Sequence, residues 1–264
     1  MEDIQKGQKV LEAGHEIHAA ELGVLASLGC ATISVYRVPH VAILVTGNEL
    51  VEVSDLLEPG KIRNSNSYIL RGLVKETKAL PVYFGVARDT REELRKKILE
   101  GLRSDALVTS GGVSVGAYDL VHEVMKEVGV DIKFWKVNIK PGMPLLFGVY
   151  RGKPVFGLPG NSVSTMVTFL QFVRPALRKM RGLVSTEGKF HLKAEIAQDI
   201  RKTDGKRHFV RGVLTNDKGR MVVQTTGSQA SNILTSLMKA NCLIIIPEEV
   251  EIVKKGDLVE VELL

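Results

Sequence analysis

Apolar positions along the chain follow two rhythms. Between Val41 and Arg181, short continuous apolar runs alternate with segments of helical spacing. The runs Val41–Thr46, Pro81–Ala87 and Ala106–Ser110 have strand length and predict buried strands. Further strands are expected at Ile132–Val137, Leu145–Val149 and Val155–Gly157. The intervening segments predict helices over Asn64–Lys78, Thr90–Arg103, a stretch ending near Val128, and Asn161–Arg181. Asn64, Ser65, Asn66 and Ser67 are candidate caps for the first, and Thr90 with Glu93 has capping-box spacing for the second. Pro175 lies inside the last, so a kink or break is expected there.

After Gly182 the helical spacing nearly vanishes. His191–Ile200, His208–Thr215, Met221–Thr226, Leu243–Ile246 and Leu258–Leu264 alternate or are β-branched, with turns such as Asn216–Gly219 between them. Only Asn232–Ala240 looks helical. At the other end, Ala19–Leu28 has helical spacing stopped by Gly29, and a short strand is expected at Thr32–Val35. The pattern predicts an α/β fold with a mostly parallel sheet flanked by helices, followed by a small C-terminal β-barrel. The expected units are 1–38 as a linker, 39–182 as the α/β domain and 183–264 as the barrel.

Composition adds limits. At 264 residues and 29.0 kDa the chain is long enough for about two domains. No apolar run approaches the roughly 18 residues of a membrane span, and the polar, acid-containing start MEDIQKGQKV is no secretory signal. Net charge is +6 without a dense Lys/Arg run, and aromatic residues are 5%. That balance suits a small anionic ligand and argues against nucleic acid as a partner. Cys30 and Cys242 belong to no metal-spaced pair and are expected to be buried, reduced thiols in a cytoplasmic protein. His15-Glu16-Ile17-His18 lacks the spacing of a zinc helix, and Trp135 beside Lys133 and Lys136 is expected to pack within a strand.

Ligands of an open parallel sheet bind outside the C-terminal ends of its strands, so the residues after each strand carry the candidate chemistry. The loop after the first strand holds Thr46, Gly47 and Glu49; after the second comes Asp89; after the third come Ser110, Gly111, Gly112, Ser114 and Asp119. Glu49, Asp89 and Asp119 are thereby expected on one edge, as oxygen ligands for a hard divalent cation or as catalytic acids. Glycine loops leading into helices let backbone N–H groups approach an anion. A second such loop holds Pro159, Gly160, Asn161 and Ser164. Lys140, Pro141 and Pro144 form a rigid loop with a cation. Arg207 and Arg211, an even number of residues apart, are expected on one strand face, and Ser231 lies in a polar turn before a helix.

TGNEL (46–50), SGGVSVGAYD (110–119), KPGMP (140–144) and GLPGN (157–161) occur in this order and together resemble the molybdopterin molybdenumtransferases, the MoeA proteins and the C-terminal part of gephyrin. The resemblance covers both the α/β and the barrel regions. It implies a MogA-like molybdopterin-binding fold. It also implies Mg2+-dependent insertion of molybdate into adenylylated molybdopterin with release of AMP. It carries Glu49, Asp89 and Asp119 to metal- and molybdate-associated positions, Pro141 and Pro144 to the cleft wall, and Arg207, Arg211 and Ser231 to barrel positions facing the site. Ser162 stands where the family more often has proline. The family's usual further N-terminal segment, which contributes to its dimer, is expected to be largely missing; the expected partner is a second copy in a homodimer or a separate chain that supplies that segment. The other readings are a non-catalytic molybdopterin binder or scaffold, and a MogA-like adenylyltransferase.

Overall fold

The computed structural model describes residues 3–112, 120–183 and 191–264. The chain first runs through α1 (Ala19–Ser27), β1 (His40–Thr46), β2 (Leu50–Val51), β3 (Ile62–Arg63), α2 (Asn66–Glu76), β4 (Leu80–Ala87), α3 (Arg91–Gly101), β5 (Ala106–Ser110) and α4 (Leu120–Glu127). It continues through β6 (Asp131–Trp135), β7 (Ile139–Lys140), β8 (Leu146–Tyr150), β9 (Lys153–Leu158), α5 (Ser162–Thr168) and, after a π-turn over Phe169–Val173, α6 (Arg174–Met180). The last part holds β10 (His191–Ile196), β11 (Ile200–Arg201), β12 (Arg207–Asp217), β13 (Arg220–Thr225), α7 (Thr235–Lys239), β14 (Cys242–Ile246), β15 (Ile252–Val253) and β16 (Leu258–Leu263).

The first sheet has the order β4-β1-β5-β9-β8-β6. Strands β4, β1, β5 and β9 are parallel, and β8 alone runs the other way. Every residue of β5, and of β1 after His40, is buried. This is why both read as continuous apolar runs: helices cover both faces. Val41 and Ile43 pack with Leu70 and Val74 of α2 and Val163 and Val167 of α5. Ala42 and Leu44 face the opposite way, against Leu94 and Ile98 of α3 and Val124 and Met125 of α4. The α3 cap forms as its spacing predicts, with Glu93 N–H donating to Thr90 Oγ1 at 3.4 Å.

The barrel closes through the order β13-β10-β16-β14-β12, with β12 pairing back onto β13. Strand β12 serves two neighbours because it is long: His208–Gly212 pair with β14 and Gly212–Asp217 with β13. The barrel interior is filled by Ala194, Ile196, Val210, Leu214, Val223, Ile244 and Val261.

Barrel and α/β layer are joined in three ways. β7 adds in parallel to the start of β12, Ile139 opposite Arg207 and Lys140 opposite His208. Phe209, Leu243 and Ile245 of the barrel share one apolar core with Val163, Phe169 and Ile139. Glu262 of β16, fully buried, accepts hydrogen bonds from Gln171 at 2.7 Å and from Arg174.

Some expectations are corrected. Thr32–Val35 forms no strand, since among the described residues no strand pairs with it and an extended segment without a ladder gains nothing. Cys30 is exposed; only Cys242 is buried, and burial pushes its thiol up to about 11. The break expected around Pro175 is present, as an interruption of the long helix and not as its end. The π-turn before it absorbs the missing N–H and the ring, and the helix resumes with Pro175 in its first turn. The helix expected over Asn232–Ala240 is shorter, Thr235–Lys239, and β7 has no counterpart in the apolar pattern. Glu16, outside any element, is held by Lys78 at 2.7 Å and by Arg181 at 3.2 Å, which ties the N-terminal segment to the α/β layer.

Removing Glu262 strands Arg174 in a nearly dry position. Glu262→Ala is expected to destabilise the protein by roughly 3 kcal/mol, read as a lower denaturation midpoint in urea. Glu262→Gln, which keeps an acceptor, is expected to cost less.

Candidate functional site

The chain leaves β1 for β4 on one side and returns to β5 on the other. The β1 and β5 loops therefore diverge above the sheet and leave a crevice between them, the place where such folds bind ligands. A cleft of about 370 Å³ opens there. Thr46, Gly47, Glu49, Asp89, Ser110, Gly111, Gly112, Pro144, Pro159, Gly160 and Asn161 all line it.

The glycines are needed at the floor. Gly111 has φ +96°, and a Cβ there would lie 2.3 Å from the Thr46 carbonyl oxygen. A Cβ on Gly112, with φ +65°, would lie 2.4 Å from Val121 Cγ2. Only glycine lets the β5 loop lie against the end of β1. Beside this contact, the Thr46 hydroxyl is buried and makes no hydrogen bond among the described residues. A buried hydroxyl without a partner costs stability, and this one lies beneath the two glycines.

Two carboxylates stand on the rim. Asn48 locks their loops together: its N–H donates to Asp89 Oδ2 at 3.2 Å, and its Oδ1 accepts from Asp89 N–H at 3.1 Å. Burial raises the Asp89 pKa above the ordinary carboxylate range, and the nearby Glu49 charge raises it further, against the hydrogen bond from Asn48. The two acids therefore feel each other. Lys61 Nζ donates to the Asn48 carbonyl at 2.8 Å, and Arg63 donates to the carbonyls of Glu52, Val53 and Asp55. These two cations brace the outer lip of the cleft.

The remaining candidates sit elsewhere. Asp119 and Ser114 lie outside the described residues. Ser164 is buried within α5 and does not line the cleft. Lys140 and Pro141 lie at the barrel junction, where Lys140 meets Asp204 at 3.1 Å. Arg207 is exposed and pairs with Glu248 at 3.2 Å. Arg211, on the same strand, is 1% exposed. Its guanidinium donates to Ser236 Oγ at 3.0 Å and to the carbonyls of Ser228 and Ala230. Arg211 thus holds the turn that carries Ser231. Ser231 reaches the cleft mouth, accepting from Asn161 Nδ2 at 3.1 Å.

The sequence pattern missed Asn66 and the clamp at Asn48. Asn64 to Ser67 read as caps, and Asn64 Oδ1 does accept from Ser67 N–H at 3.1 Å. Asn66 instead turns inward, to Ser110 and Gly160. A polar residue at a helix start looks locally satisfied, so no sequence signal marks it.

Sheet, switch-point cleft and closing barrel define the class, an α/β unit with a ligand cleft at its switch point followed by a β-barrel. Residues 42–179 match the family described as "Probable molybdopterin binding domain", and 193–264 match "MoeA C-terminal region (domain IV)". The chain is 36% identical to a molybdopterin molybdenumtransferase of Haemophilus influenzae, over 99% of this chain and 65% of that protein. It is 34% identical to the Bacillus subtilis molybdopterin molybdenumtransferase, over 100% of this chain and 61% of that protein. A solved molybdopterin biosynthesis moeA protein from Pyrococcus horikoshii superposes with a TM-score of 0.82 at 29% identity, covering 100% of this chain and 63% of that one. The chain belongs to the molybdopterin molybdenumtransferase (MoeA) family, and it spans 61–65% of the length of the two curated relatives. Among the described residues, no helix is long and apolar enough to cross a membrane.

The coupling of the two rim acids can be checked directly. A raised Asp89 pKa means that the fold opposes its ionisation. The group's contribution to stability therefore falls as pH rises from the ordinary aspartate range through the raised value. Glu49→Gln removes the like charge and is expected to lower the Asp89 midpoint in a carboxyl-carbon NMR titration. The midpoint stays above the ordinary value, because burial, the larger cause, remains.

Proposed function

We propose that the cleft binds adenylylated molybdopterin and that the protein, with Mg2+, inserts molybdate into it and releases AMP. The observation that carries this reading is the meeting of two opposite chemistries at one switch point. Two carboxylates, Glu49 and Asp89, line the same cleft as two glycine loops, and the Glu49 charge adds to the raised pKa of Asp89.

The donor set suits Mg2+, which takes one or two carboxylates and completes its shell with phosphate oxygens and water. Glu49 and Asp89 would hold it, and the family resemblance names Asp119 as a third acid. When bound, the ion neutralises phosphate charge and polarises the phosphorus for attack. The chain supplies the rest. The glycine loops let backbone approach the phosphates with no side chain in the way. Pro144 and Pro159 wall the cleft. Lys140 and Arg207 form the basic zone at the barrel junction for the molybdate oxyanion. Their present ion pairs are exposed and worth little, so an anion can replace them. Arg211 acts from behind, by holding the turn that presents Ser231.

Incubation with adenylylated molybdopterin, molybdate and Mg2+ tests the reading by AMP release. Asp119→Asn and Asp89→Asn are each expected to slow release by about 100-fold or more while pterin binding stays measurable. Absence of AMP release by the unaltered protein, or unchanged release by both variants, sinks it.

A further inference from the structure

The two glycine loops that floor the cleft have no side chains to set their separation. Gly111 of the first and Gly160 of the second face each other across the floor, so closely that a Cβ on Gly160 would lie 3.7 Å from Gly111 Cα. Each loop hangs from its own strand, β5 or β9, and runs on toward its own helix. A ligand touching both depends on their spacing, and something must fix it.

The β5–β9 ladder sets it as far as Ser110 opposite Leu158, and beyond the ladder an amide from a third element bridges the two loops. Asn66, the first residue of α2, is 7% exposed. Its Nδ2 donates to Ser110 Oγ at 2.9 Å and to the Gly160 carbonyl at 2.6 Å. Its Oδ1 accepts from Ser162 Oγ at 2.8 Å. Both amide protons and the carbonyl are thus engaged, on partners from both loops and the start of α5. The contacts chain onward: Ser110 Oγ donates to the Pro159 carbonyl at 3.0 Å, and Thr165 Oγ1 donates to the same carbonyl at 2.6 Å. Ser65 Oγ reaches Ser162 Oγ at 3.2 Å. Thr165 Oγ1 bridges the same pair from α5, reaching Ser110 Oγ at 3.3 Å as well as the Pro159 carbonyl, whereas Asn66 is the bridge that comes from α2.

We propose that Asn66 is a positioning residue of the cleft, fixing the gap between the Gly111 and Gly160 loops so that one extended ligand is gripped by both. This rests on the reading of the cleft as the site for an adenylylated pterin. Asn66 acts through the loops, since its hydrogen-bonding groups are already used. The grip has a signature that a general structural role lacks. A ligand small enough for one loop is indifferent to the gap, whereas a ligand that spans both is not.

The test compares the affinity of the full chain for 5′-AMP, the longer probe, and for inorganic phosphate, the shorter, by titration calorimetry and competition. Asn66→Ala is expected to weaken AMP binding about tenfold and to change phosphate binding less than about twofold. Hydrogen exchange at the Gly111 amide, which donates to the Leu158 carbonyl at 3.1 Å, is expected to quicken. Unchanged AMP affinity in a folded variant overturns the proposal, as does an equal loss for AMP and phosphate. Should Asn66→Ala fail to fold, Ser162→Ala decides, because it removes one of the three bonds that Asn66 makes, together with the Ser65 contact, and leaves the amide's two donor bonds in place. A smaller loss for AMP alone supports the grip, and no loss overturns it. The grip is judged on binding of AMP and the proposed reaction on release of AMP, so the failure of one is distinguishable from the failure of the other.

Discussion

The site depends on one close approach of backbone to backbone, Gly111 against the carbonyl of Thr46. Parallel strands diverge at a switch point, and what they enclose depends on how tightly the two departing loops are drawn together. Here they touch because glycine adopts a positive φ and carries no Cβ. Everything else in the cleft follows from that contact. The Thr46 hydroxyl is buried by it, the β5 loop is laid flat by it, and the rim acids stand above it.

The barrel is more than an appendage to this arrangement. It meets the α/β layer through backbone pairing at β7, a common apolar core and a buried carboxylate at Glu262. These differ in character. The core is non-directional, while the β7–β12 ladder and the Glu262 contacts fix orientation. Arg211 shows the same division within the barrel. Its charge is buried against carbonyl oxygens and a hydroxyl, which orient the Ser231 turn toward Asn161.

Much of this was legible in the sequence, for a physical reason. Strands covered on both faces must be continuously apolar, so β1, β5 and β9 were visible together with the loops that follow them. Knowing the strand ends was enough to place Glu49, Asp89 and the glycines on one edge. What escaped depends on long-range pairing. β7 is two residues long, too short for any period to show, and it becomes a strand only because β12 offers a partner. Arg207 and Arg211 do share a strand, but only the second is covered by the turn around Ser228, which spacing does not reveal. Asn66 is bonded to residues 44 and 94 positions away, and nothing in its local run separates it from the cap at Asn64.

The pairing of Ile139 with Arg207 has a consequence for biosynthesis. The wall residue Pro144 follows directly on β7, so the segment that carries it is anchored by a strand made much later in translation. A nascent chain that has completed β9 already owns every strand of the first sheet, yet its β7 still lacks the strand it pairs with. The site reaches its final shape when the ribosome has delivered β12. A chain halted before that point would carry the acids and both glycine loops in a cleft without its barrel-anchored wall.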